Sequence, residues 1–163
     1  MMPTRYGLAA LALLLLTATP AAATDWYQIS EAADATSMSF VDRDSIRPSG
    51  DGLMQAQLYL VYAEDRDGGE AASDLLMEFD CVTPRSRFVR LVGFDRTQRQ
   101  LNDDPGSGRW SDVAPDSQHV DIRTFICSRG QSLSASASRG AAYPFENARA
   151  LMARHRAEDA QRK

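Results

Sequence analysis

The chain has 163 residues, a quarter of them charged, and a formal net charge of −4. Its cations are arginines except for Lys163. That size fits one domain with a real core, and a mildly acidic balance argues against non-specific nucleic-acid binding, which needs clustered cations.

The first segment reads as a leader. Arg5 is the only charge before Asp25, and Leu8 to Leu16 carries no polar side chain. Pro20 and the small run Ala21-Ala22-Ala23 follow. A basic start, a short apolar stretch and a small-residue end make a Sec-type secretory signal over residues 1–23, cut between Ala23 and Thr24. The apolar run is shorter than the about 20 residues that span a bilayer. An uncut N-terminal anchor is the competing reading. Removing 23 residues from 163 leaves 140, and loss of Arg5 takes the charge to −5. No later segment is apolar enough to cross a membrane, so the expected location is periplasmic or secreted.

The mature chain opens with Trp26-Tyr27-Gln28-Ile29 as a first strand, and Met38-Ser39-Phe40-Val41-Asp42 as a second. Pro48, Gly50 and Gly52 signal a turn. From Leu53 to Ala63 the pattern has period two: Met54, Ala56, Leu58, Leu60 and Tyr62 fall on one face, and Gln55, Gln57 and Tyr59 on the other. Glu64 to Glu70 is a charged loop. A fourth strand covers Ser73 to Val82 and a fifth Arg85 to Asp95, with Phe88, Arg90, Val92 and Phe94 placed opposite Arg87, Val89 and Leu91. Leu101 to Gly108 reads as a loop. His119 to Ser128 reads as a last strand, with Val120, Ile122, Thr124 and Ile126 on one face.

Residues 129–142 are rich in Ser, Ala, Gly and Arg, a flexible linker by composition. Residues 143–163 hold a C-terminal helix of about 15 residues starting near Pro144, which suits a first helical turn. Phe145, Ala148, Leu151, Met152 and His155 form its stripe. The stripe can pack on the sheet or, detached, bind a partner.

Cys81 and Cys127 are the only cysteines. In an exported chain two such residues read as one disulfide, worth about 4 kcal/mol for a loop of about 46 residues. It ties two strand ends or lies between sheet neighbours.

The search for chemistry leaves little. Neither His119 nor His155 sits in a nucleophile pattern, and neither has a close Cys or Glu partner for zinc. Counted from Asp65 as a calcium loop, Gly69, Glu70 and Leu76 fall where an oxygen ligand, Gly and Glu are required. No Gly-rich phosphate loop is present, and nothing singles out a carboxylate pair. No catalytic, cofactor or metal residue is expected, and the ligand-binding residues stay unassigned.

Several segments together form a pattern: Trp26-Tyr27, Phe40 to Ile46, Glu78-Phe79-Asp80-Cys81, Arg109 to Pro115, and Cys127. In that order they resemble the surface-adhesin protein E family over roughly residues 25–128. The resemblance implies an α+β, β-rich fold: a curved antiparallel sheet of about six strands with a C-terminal helix near its concave face, over a β domain of residues 24–128. It implies a non-enzymatic binding domain without cofactor, whose partners are host or extracellular proteins such as vitronectin, laminin and plasminogen. The best-known members carry a lipid-anchor Cys at the mature start, where Thr24 stands here. The alternative is a periplasmic small-ligand-binding or envelope-assembly module, with Phe145, Leu151 and Met152 covering a cleft.

Overall fold

A computed structural model describes residues 26–132, 136–138 and 144–162. The expected leader, its cut between Ala23 and Thr24, and most of the expected linker lie outside the described residues. Among those described, nine strands form one antiparallel sheet. In chain order they are β1 (Trp26–Glu31), β2 (Ser37–Asp42), β3 (Arg47–Gly50), β4 (Leu53–Tyr62), β5 (Ala72–Asp80), β6 (Arg85–Phe94), β7 (Gln100–Pro105), β8 (Ser111–Asp112) and β9 (Ser136–Ser138). The helices are α1 (Gln118–Cys127) and α2 (Phe145–Gln161). The sheet runs β7-β6-β5-β4-β2-β1-β9, with β3 added on β4 and β8 on β6.

The long central strands form where alternation is strongest, and their turns carry their own locks. The Asp80 carboxylate accepts from the amides of Val82 and Thr83 at 2.9 and 2.8 Å, closing the β5–β6 turn. Asp95 does the same for Thr97 and Arg99 at the next turn.

Both faces of the sheet are used. On one, Met54, Ala56, Leu58, Leu75, Met77 and Phe79 pack against Ile122, Phe125 and Ile126 of α1. On the other, Trp26, Met38, Phe40, Tyr59 and Val61 pack against Phe145, Ala148 and Met152 of α2. The stripe of α2 therefore docks on the sheet. Met152 is fully buried there.

Four assignments change, the first being that Ser136–Ser138 of the expected linker form β9, paired with β1. His119 to Ser128 is helix, not strand. Its β-branched alternation fits period two, but Ile122, Phe125 and Ile126 also recur at helical spacing, and burial against the sheet selects the helix. The disulfide accordingly joins the end of a helix to the turn after β5, with Cα atoms of Cys81 and Cys127 5.6 Å apart. The segment expected as a loop from Leu101 holds β7, whose six residues are all exposed. Pairing with β6, rather than hydrophobic pattern, makes it a strand. The turn signal around Pro48 holds the short strand β3, paired with β4.

Candidate functional site: an arginine shelf on the open half of one face

α2 covers only part of its sheet face. The uncovered part is built by register. Across β4, β5 and β6 the rows are Leu53–Asp80–Arg85, Gln55–Glu78–Arg87 and Gln57–Leu76–Arg90. The next rows, Tyr59–Asp74–Val92 and Val61–Ala72–Phe94, pass under α2, where Tyr59, Val61 and Phe94 join its core.

The β6 side of these rows depends on a bulge. The register shifts between Leu76 and Met77, so Phe88 opposes Met77 while Arg90 opposes Leu76. Val89 is the extra residue. A bulge re-aims the side chains beyond it. Arg87 and Arg90 thereby share a face that strict alternation denies them.

Each guanidinium is held in place. Arg87 Nε donates to Glu78 Oε2 at 2.6 Å, and its Nη2 pairs with the same oxygen. Arg85 Nε donates to Asp80 Oδ2 at 3.0 Å. Arg90 grips Asp103 of β7 with two donors, at 2.8 and 2.6 Å. Arg47 Nη2 donates to Gln55 Oε1 at 2.8 Å, and Gln57 Nε2 to Asp74 Oδ2 at 2.7 Å. Trp110 completes the row: the guanidinium carbons of Arg85 and Arg87 lie 4.7 and 4.6 Å from its ring centre. β8 places that ring, because Ser111 and Asp112 pair with Ser86 and Arg85 and Val113 N–H donates to Pro84 O.

The electrostatics are consistent. The Thr83 and Val82 amides and then Arg85 hold the Asp80 carboxyl below the usual carboxylate range. Arg90 lowers Asp103, and Asp103 raises Arg90 in return. Glu78 and Asp80 are buried acids on one face, but each is bound by an arginine. For Asp80 the lowered carboxyl is the opposite of what a general acid needs.

The residues singled out from sequence fall elsewhere. Cys81 and Cys127 are bonded to each other on the α1 side. His119 is exposed in the first turn of α1. His155 Nδ1 lies 2.9 Å from both Glu31 oxygens and fastens α2 to β1. Asp65, tested above as a calcium ligand, binds Arg96 and Arg149 instead. Among the described residues no group of three or more His, Cys, Asp or Glu could hold a metal, and no helix is long and apolar enough to cross a membrane. Sequence reading passed over the shelf, although Arg85, Arg87 and Arg90 crowded in one strand were a visible signal.

The described core of the chain, from Trp26 in β1 to the residue after Cys127 in α1, is the stretch matched by the family model for surface-adhesin protein E, residues 26–128. The chain belongs to the surface-adhesin protein E family. No curated protein and no solved structure matches it. Every shelf residue lies within the matched stretch. The surface-adhesin family implies a surface or secreted protein, and the disulfide fits a compartment outside the cytoplasm.

Proposed function

We propose that this protein is an exported, non-enzymatic binding domain that engages a host or extracellular protein through the open half of the sheet. The observation that carries the reading is the shelf itself. Half of one sheet face is sealed by α2, and the other half presents oriented arginines and a tryptophan. Arg and Trp are the residue types enriched where protein partners bind most strongly. The cleft between Ser45, Arg47, Gln57, Asp74 and Arg90 has a volume of about 210 Å³. That is below the about 300–1,000 Å³ of small-ligand sites, so at the shelf itself a surface contact with a macromolecule fits better than an enclosed small ligand.

Membership of the surface-adhesin family supports adhesion, and the leader-like residues 1–23 support export to the periplasm or release. The test is saturable binding of the purified protein to immobilised vitronectin, laminin and plasminogen. Binding at micromolar concentration or below supports the reading. Its absence for all three retires the host-protein claim. Cell fractionation, with the mass of the recovered protein, tests export: a mature start at Thr24 is expected outside the cytoplasm.

A further inference from the structure

We propose that the shelf is a docking track for an extended acidic segment of a partner protein, one with carboxylates at alternate positions, laid along β6. The inference rests on the protein-binding reading above and names the chemistry of the partner.

Spacing is the first argument. Arg85, Arg87 and Arg90 oppose Asp80, Glu78 and Leu76, alternate residues of β5. At a rise of about 3.4 Å per residue their positions repeat every 7 Å or so. A peptide in the same extended conformation, acidic at every second residue, repeats its carboxylates at the same interval. Without the bulge at Val89 the third arginine would face the other way.

Depth is the second. The Glu78 and Asp80 side chains are 7% and 9% exposed, whereas those of Arg87 and Arg85 are 33% and 39%. The negative charges therefore sit beneath, and the guanidiniums meet solvent. A guanidinium has five N–H donors, and the buried acids engage only part of each fork. Holding the fork against a buried acid and the Trp110 ring also reduces the freedom lost when a partner arrives.

The third is a contact the chain already makes. Asp103 stands on the neighbouring extended strand and binds Arg90 fork to fork. An aspartate from a docked strand would meet the remaining N–H groups of Arg85 or Arg87, whose Nε donors are taken by Asp80 and Glu78. The exposed edges of these guanidiniums, gathered on one strip, give an acidic partner a favourable place to land.

The experiment measures fluorescence anisotropy of labelled peptides of about twelve residues, long enough to span the strip, with the purified protein. One peptide alternates Asp with Ser; the other has the same composition with its Asp residues in one block. The alternating peptide should bind at least about fivefold tighter, and its affinity should fall about tenfold between roughly 50 and 300 mM NaCl. Arg87→Gln should weaken it but also strands buried Glu78. The double variant Arg47→Gln with Arg90→Gln leaves both buried pairs intact and should weaken binding at least about fivefold. Equal affinity for the two peptides, no effect of the double variant, or no peptide binding at about millimolar concentration overturns the proposal. So does arginine-dependent binding of heparin when neither peptide binds. If a matrix protein binds the double variant as well as wild type and the peptides do not bind, this inference fails and the protein-binding reading stands. If the alternating peptide binds and no matrix protein does, the track stands and only the host-protein claim falls.

Discussion

Arg87 and Arg90 are three residues apart in the chain but one pleat repeat apart on the sheet, opposite Glu78 and Leu76. The residue that makes up the difference, Val89, accepts the Gly106 N–H at 2.9 Å. The bulge is thus pinned from outside the strand by the segment that follows β7. The line of arginines depends on that pin, since a one-residue change of register sends side chains to the opposite face.

Gly106 should not tolerate a side chain. A Cβ there would stand 2.0 Å from the Phe88 carbonyl oxygen. That atom is backbone, so the bulge itself must move. Gly106→Ala should cost about 1–3 kcal/mol, the usual range for forced overpacking. Urea unfolding measures it; an unchanged midpoint would show that the bulge is not held at this contact.

Arg87 and Arg90 should differ in what they contribute to stability. Glu78 is 5% exposed, so Arg87→Ala leaves a buried carboxylate without its partner, at a cost of about 1–3 kcal/mol. Arg90 and Asp103 have side chains 56% and 39% exposed, and an exposed pair contributes about 0–1 kcal/mol. A double-mutant cycle of Arg87→Ala with Glu78→Ala should recover most of the loss. Equal effects of Arg87→Ala and Arg90→Ala would contradict the burial argument.

The disulfide joins α1 to the turn that Asp80 closes. Arg123 reinforces the junction by donating to the carbonyls of Asp80 and Cys81 at 2.9 and 2.8 Å. Cys81→Ser should lower stability by about 2–5 kcal/mol. Thermal melts with and without reductant provide the check. Identical melting of wild type and variant in the absence of reductant would mean that the bond does not form.

Acid should destabilise the fold late. Thr97 and then Arg99 pull the Asp95 carboxyl down to about 2. Asp65, Asp80 and Asp103 are also lowered, by Arg96 first, by the Thr83 amide first and by Arg90 first. A carboxyl with a depressed folded value stabilises fully above its unfolded value, about 3.9, and loses that contribution as pH falls through the folded one. The carboxylate contribution to the melting temperature should therefore hold between pH 7 and 5 and disappear from about pH 4 to about pH 2. A steep loss centred near pH 6 would point to histidine instead.

The sequence by itself carried much of the fold. The alternation of Leu53 to Tyr62 and of Leu75, Met77 and Phe79 marked β4 and β5, because one-sided burial imprints period two. The α2 stripe was legible for the same reason at period 3.6. So were the two cysteines as a pair, and a family pattern over roughly residues 25–128.

Tertiary structure decided the rest. α1 has a composition that suits either helix or strand, and only the apolar sheet face beneath it selects between them. β7 has no buried face at all, so no pattern could announce it. The arginine shelf turns on a single extra residue in β6, and a bulge is a property of two paired strands rather than of one. Which residues oppose Arg87 and Arg90, and therefore which face they share, is set by partners distant in sequence. A local reading of the chain cannot supply that.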